Sequence, residues 1–304
     1  RALIGLGTSA CLMAAFKAYT QWFAGPRMPL VNGCHMVAGG LGALSGTVPV
    51  EMALGFTDWR GVFWAFGAMA LVISALIFFT VPRRGGTDSV EMTFAEQIAG
   101  VGKVFRSPMF WRTAPVTVTT QAGFLGIQTL WSGPWMKDVA GLPRDGVAEN
   151  LFFVACAMIA GSFTMGAMAE RFTRFGFKPM TFVIGAMAIF IVVQVGLVLQ
   201  LTEYALLNWI AFGFFGTASI VVYALLPQRF DASLSGRLLT GMNMMVFFLA
   251  FAVQWGTGVI IDLWPPTTDG GYHPDGYQAA FAVILAIQAA SLIWYFVYRG
   301  DTTN

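Results

Sequence analysis

Long apolar runs, each about one bilayer in length and separated by clusters of charge, proline and glycine, dominate this chain. Residues 61–81 contain no Asp, Glu, Lys or Arg, and neither do residues 180–202. As helices rising 1.5 Å per residue, such runs cross about 30 Å of hydrocarbon. Reading the whole chain this way predicts nine spans, roughly residues 1–23, 31–50, 61–81, 112–135, 150–169, 179–201, 204–227, 238–261 and 277–298. Pro49 and Pro115 fall inside two of them and are expected to kink them. Between the third and fourth spans lies the longest polar stretch, about residues 82–111. Its second half has an amphipathic pattern, with Phe94, Ile98, Val101 and Phe105 on one face and Glu96 and Lys103 on others. That pattern predicts a short helix resting on the membrane interface.

Composition narrows the class. Of 304 residues 57% are hydrophobic and 11% charged, and the mean hydropathy is +0.69. A soluble domain carries about 25% charge, so a soluble enzyme, a nucleic-acid binder and a disordered protein are all excluded. The net charge of +2 gives no reason to expect a polyanionic partner. Cys11, Cys34 and Cys156 stand in apolar surroundings without a CxxC pair and are expected as small core residues. With only His35 and His273, and no nucleophile elbow, phosphate loop or metal-ligand spacing, the chain offers no enzyme, metal or cofactor motif. The expected fold class is an all-α polytopic membrane protein.

Orientation follows from the 17 Lys and Arg residues. Thirteen fall in one set of alternate loops with the C-terminus: Lys17, Arg27, Arg83, Arg84, Lys103, Arg106, Arg112, Arg171, Arg174, Lys178, Arg229, Arg237 and Arg299. The other set holds three, Arg60, Lys137 and Arg144, and Arg1 lies at or inside the first span. Acids run the other way, with Glu51, Asp58, Asp138, Asp145, Glu149, Glu203, Asp262, Asp269 and Asp275 on the cation-poor side. The positive-inside rule then makes the first set, and the C-terminus, cytoplasmic.

Spans also resemble one another in threes. The second and eighth share an Arg at the cytoplasmic end, an Asn about one turn later and an acid at the far end: Arg27, Asn32 and Glu51 against Arg237, Asn243 and Asp262. The third and ninth then open alike, Trp59-Arg60-Gly-Val-Phe63 against Tyr277-Gln278-Ala-Ala-Phe281. A three-helix unit used repeatedly predicts a natural span count that is a multiple of three.

With this repeat, the chain resembles the major facilitator superfamily (MFS), whose fold is two six-helix halves joined by a cytoplasmic loop. Arg1-Ala-Leu-Ile-Gly5-Leu-Gly7 is similar to the family's RxxxGxG signature of helix four. Gly166-Ala-Met-Ala-Glu170-Arg171, with Arg174, Gly176 and Lys178, is similar to its GxxxD/ER signature between helices eight and nine. The third pattern is the aromatic-x-x-x-Phe opening of helices six and twelve. The resemblance implies an MFS fold with nine of twelve transmembrane helices visible, helices four to twelve, and an N-terminal truncation. It divides the chain into residues 1–81, the remainder of the first half; 82–111, the loop between halves; and 112–304, the second half. The glycine-rich fifth helix lacks the GPxxGG core of proton-coupled drug exporters and the Gly-Asn core of nitrate porters.

Candidate site residues come from helical faces. Thr117, Gln121, Gln128 and Trp135 fall within about 60° of one another on a regular helix. Amides ending in an indole either line a polar cavity or bond neighbouring helices. Asn208, Phe212, Phe215, Ser219 and Tyr223 share a stripe on the span at 204–227, where Asn208 is expected as an ordinary interfacial polar residue, and Asn243, Phe247, Ala250 and Gln254 share one on the span at 238–261. The resemblance implies that these faces line a central pathway, with Ser219, Tyr223, Asn243 and Gln254 its polar residues. It also implies an interior coupling role for Arg1, against the alternative of snorkelling to the interface. Gly166, Glu170, Arg171, Arg174 and Lys178 either satisfy the positive-inside rule or, as the resemblance implies, form a cytoplasmic gate. His35 shares a face with Gly39, Gly42 and Gly46, expected as a close-packing stripe.

The expected function is secondary transport of a small solute by alternating access, with a proton or another ion as a coupling partner. The expected setting is a bacterial inner membrane, as a monomer in the lipid bilayer, without nucleic acid or cofactor. The alternative is a transporter-like sensor or scaffold that binds a ligand without moving it.

Overall fold

The computed structural model describes residues 7, 11–45, 48–81, 94–267 and 270–298. These are helix, turn and loop, with no strand among the described residues. The chain divides into two compact units, residues 38–99 and residues 1–37 with 100–304.

The smaller unit holds the end of α2 (Met28–Ser45), α3 (Val48–Leu54), α4 (Trp59–Thr80) and the start of α5 (Phe94–Arg106). Asp58 starts α4 by accepting a hydrogen bond from the Gly61 amide at 2.9 Å. The Arg60 guanidinium lies 4.2 Å from the Trp59 ring. Trp64, Phe78 and Phe79 are exposed, and Val62 is the buried residue of this helix. This helix is long and apolar enough to cross a membrane.

The larger unit holds α1 (Cys11–Trp22), the first part of α2 and a helical rod from Pro108 to Asp138. That rod is α6 (Pro108–Gly126), a π-helical turn at Ile127–Trp131 and α7 (Ser132–Asp138). Then come α8 (Arg144–Arg174), α9 (Pro179–Val198), α10 (Ala205–Gly216), a 3-10 stretch at Thr217–Val221, α11 (Val222–Leu225), α12 (Ser235–Ile261) and α13 (Pro274–Val297). Six segments among the described residues are long and apolar enough to cross a membrane: α4, α8, α9, residues 202–229, α12 and α13. The Pro108–Asp138 rod and helices α1 and α2 occupy three further predicted spans.

Small residues set the closest helix approaches. Gly161 of α8 faces the Phe214 carbonyl of α10, and a Cβ on Gly213 of α10 would lie 2.9 Å from the Val154 carbonyl of α8. Side chains longer than glycine would separate these backbones. The end of α8 is a Schellman turn: Phe177 N–H bonds the Phe172 carbonyl at 3.0 Å and Gly176 N–H the Thr173 carbonyl at 3.1 Å. Gly176 takes φ +79° there, which costs a glycine little, and Pro179 starts the next helix two residues beyond Phe177.

Two cores stack along the bundle. One gathers Phe16, Phe110, Met180, Met187, Tyr223 and Met242; the other gathers Trp135, Phe190, Trp209, Phe212, Tyr277 and Phe281. On α6 and α13 a polar layer separates them. Gln194 of α9 donates to Gln288 of α13, Gln288 donates to the Thr119 carbonyl at 3.4 Å, and the Thr119 and Ser291 hydroxyls are 2.7 Å apart. Phe247, Phe248, Phe251 and Trp255 on α12 and Trp294 and Phe296 on α13 are exposed.

One expectation changes. The cysteines are free, and Cys11 and Cys34 are exposed rather than core; an apolar neighbourhood in a membrane chain is as compatible with a lipid-facing surface as with a core. On α5, Val104 is fully buried and Phe105 packs on Phe110, ring centroids 5.0 Å apart, while Val101 is exposed.

Candidate functional site

Antiparallel connections give the larger unit two chemically distinct ends. Arg171, Arg174, Lys178, Arg229 and Arg237 cluster where α8, α11 and α12 end or begin, which we call the basic end. Lys137, Asp138, Arg144 and Asp262 lie at the other.

At the basic end, α1 and the start of α2 meet α8, α11 and α12 through several small contacts. A Cβ added to Gly33 of α2 would lie 2.7 Å from the Ser162 carbonyl of α8, and one on Gly166 would lie 2.5 Å from the Pro29 carbonyl and 3.3 Å from Gly33 Cα. The two backbones therefore cross in contact at a glycine pair. Beside it, Phe16 of α1 meets Tyr223 of α11, ring centroids 6.0 Å apart, and His35 of α2 at 5.6 Å. Tyr19 Oη and His35 Nδ1 share a hydrogen bond of 2.8 Å. Gln228 Nε2 donates to the Gly25 carbonyl at 3.2 Å.

Tyr223 reaches this cluster from an irregular stretch. The Thr217 hydroxyl donates to the Phe214 carbonyl at 2.8 Å and the Ser219 hydroxyl to the Gly216 carbonyl at 3.4 Å, both three residues back. These bonds, with branched Ile220 and Val221, accompany the 3-10 geometry at Thr217–Val221. Ser219 and Tyr223 are both almost fully buried, and the Tyr223 hydroxyl has no partner among the described residues.

The four-residue stripe on the Pro108–Asp138 rod is interrupted. An i→i+5 turn at Ile127–Trp131 holds one residue more than an α turn, which offsets everything beyond it by about 100°. Thr117 is fully buried with its hydroxyl donating to the Thr113 carbonyl at 2.9 Å. Gln121 is half-buried, with Oε1 unpartnered among the described residues. Gln128 is half-buried and its carbonyl accepts from the Ser132 hydroxyl at 2.7 Å. Trp135 is fully buried, edge-to-face with Trp209 at 5.5 Å, in the core at the far end from Tyr223. On α12, Asn243 is half-buried. Gln254 donates to the Thr129 hydroxyl at 2.8 Å, and its carbonyl accepts from Trp131 Nε1 at 3.1 Å, so this residue ties α12 to the π turn.

Glu170 is buried near the basic end of α8, its Oε1 2.6 Å from Arg174 Nη2. With Arg171 and Leu30 of α2 these residues line a hollow of about 290 Å³. Lys178 is exposed at the N-cap of α9. Gly166, Glu170, Arg171 and Arg174 are thus grouped beside α2. Arg1 lies outside the described residues. Phe16 and Tyr19 escaped the sequence reading. Their three-residue spacing on α1 marks a shared face, but gives no sign of what that face meets. Asn32, noted only for the repeat, is fully buried with both amide atoms unpartnered among the described residues.

Apolar helices crossed at glycine pairs, with buried amides and a buried phenol, define a polytopic α-helical membrane protein. A family model of the Major Facilitator Superfamily matches residues 1–255, and the chain belongs to that superfamily, a family of transporters. No curated protein matches the chain.

Proposed function

We propose that the protein is a secondary transporter that carries a small polar or amphipathic solute by alternating access between two helical halves. The halves are residues 1–81 and 112–304, joined by residues 82–111, and the basic end faces the cytoplasm of a bacterial cell. The observation that carries this reading is the cluster at the basic end. There α1 and α2 meet α8 and α11 through a glycine crossing, three aromatic rings and one imidazole. A seal made of few, small contacts is one that a modest free energy opens and closes. The Gln121 side-chain amide oxygen and the Tyr223 hydroxyl supply unpartnered polar atoms for a solute, and Thr117, Gln128, Ser219, Asn243 and Gln254 supply further polar groups on the Pro108–Asp138 rod, the 3-10 stretch and α12. In this scheme the Glu170–Arg174 pair of α8 sits at the gate, beside Leu30 of α2, and movement of α2 away would open the pair to water.

The test is uptake into proteoliposomes holding the full-length protein, using a panel of labelled organic anions, zwitterions and neutral solutes under imposed pH and ion gradients. Gradient-driven uptake that falls at least tenfold in the Gln121→Ala/Tyr223→Ala double variant is expected. Saturable binding with no flux under any gradient would replace transport with ligand sensing.

A further inference from the structure

At the end opposite the basic one, the larger unit contains a cleft of about 880 Å³. This lies within the range of small-molecule sites. Two helix ends of opposite polarity border it. Arg144 opens the 31-residue helix α8 after Pro143, whose side chain caps nothing, so a guanidinium stands beside the positive end of a helix dipole. Asp262 is the C-cap of the 27-residue helix α12, so a carboxylate stands beside a negative end. Neither side chain has a hydrogen-bond or ion-pair partner among the described residues. Asp145, in the same turn as Arg144, does not line the cleft.

The wall of the cleft is built and held. Asp138, whose side chain is 7% exposed, accepts from the Tyr277 hydroxyl at 2.8 Å and from the Tyr272 amide at 3.2 Å, and Lys137 lies 4.0 Å from it. Its charge is therefore committed to fixing the Tyr272 segment. Tyr272 packs on Trp131 and Tyr277 at 5.8 and 6.2 Å, and Trp264 lines the cleft with it. Among the described residues, what remains open to a ligand is the Arg144 cation, the Asp262 anion and an aromatic surface, with the exposed Lys137 ammonium kept beside Asp138 at 4.0 Å.

We propose that this cleft binds a small zwitterion with an apolar body: a carboxylate for Arg144, an ammonium for Asp262, and an aromatic or branched group for Trp264 and Tyr272. The site is separate from the Tyr223 cluster, and its occupancy requires no transport cycle.

Isothermal titration of the purified full chain, in detergent and without any gradient, tests this with L-phenylalanine, 3-phenylpropionate and 2-phenylethylamine. Phenylalanine is expected to bind at least tenfold more tightly than either single-charge probe. Arg144→Gln is expected to weaken phenylalanine and phenylpropionate about tenfold while leaving phenylethylamine unchanged, and Asp262→Asn to weaken phenylalanine and phenylethylamine while sparing phenylpropionate. A misfolded variant loses all three probes together, so the opposite pattern in the two variants carries the result. Absent phenylalanine binding, equal affinity for the three probes, or variants that shift all probes alike would each overturn the proposal. Because no flux is measured, failure here leaves the transport reading standing, and failed transport leaves this site standing.

Discussion

Gly166→Ala is the sharpest test of the crossing at the basic end. The new methyl would lie 2.5 Å from the Pro29 carbonyl oxygen, where ordinary contact begins at 3.4 Å, so that backbone must retreat by 3.4 − 2.5 = 0.9 Å. Both groups belong to helix backbone or sit rigidly on it, so α2 and α8 must part rather than a side chain rotate. Overpacking of this size costs about 1–3 kcal/mol. If the crossing exists only while the basic end is closed, the whole cost falls on that state, and its population drops by roughly 5- to 150-fold relative to the open state. The assay is maleimide labelling of Ser219→Cys, buried beside the cluster, in a background with Cys11, Cys34 and Cys156 replaced by Ser, the reagent being added at the basic side. Labelling at least fivefold faster is expected. Unchanged labelling with a lowered Tm would show the crossing to be a permanent strut, and would refute its role in gating.

Two further variants read the polar interior. Gln288→Leu leaves the buried Gln194 amide without its partner and should lower stability by about 0.6–2 kcal/mol, seen as a lower Tm in detergent, while Gln194→Leu/Gln288→Leu together should recover part of the loss; a double variant as weak as the sum of the singles would show the pair to be uncoupled. Tyr223→Phe deletes an unpartnered buried hydroxyl, so Tm should hold or rise while uptake falls, whereas a lower Tm would mean that the hydroxyl has a partner after all.

The spans were legible because hydrocarbon imposes a length and an absence of charge that composition displays directly. Trp59–Thr80 is helical where residues 61–81 were expected to be, and α12 and α13 end within a residue of their predicted limits. The turn that ends α8 also shows in the sequence, since a position that needs φ > 0 is filled by glycine, here Gly176 at +79°. Helix faces were read less well. The stripe from Thr117 to Trp135 assumes an unbroken 100° step, and nothing in Ile-Gln-Thr-Leu-Trp announces a π turn. In the fold that turn coincides with tertiary bonds, Trp131 to the Gln254 carbonyl and Gln254 to Thr129, made to a helix more than a hundred residues away. Pairings of the same range hide the cluster at the basic end. Periodicity shows that Gly33 and Gly166 each lie on some face, but not that the two faces meet.

The short 3-10 stretch below Tyr223 has a mechanical meaning. Five residues at about 2.0 Å rise and three per turn are longer by about 2.5 Å, and wound further by about 100°, than the same five as α-helix. Conversion of this stretch to α-helix would therefore draw Tyr223 inward along the axis and swing it round in one movement. The tyrosine is mounted on a screw thread whose pitch is written in hydrogen bonds, so a change worth only a few of them would be enough to withdraw it from Phe16.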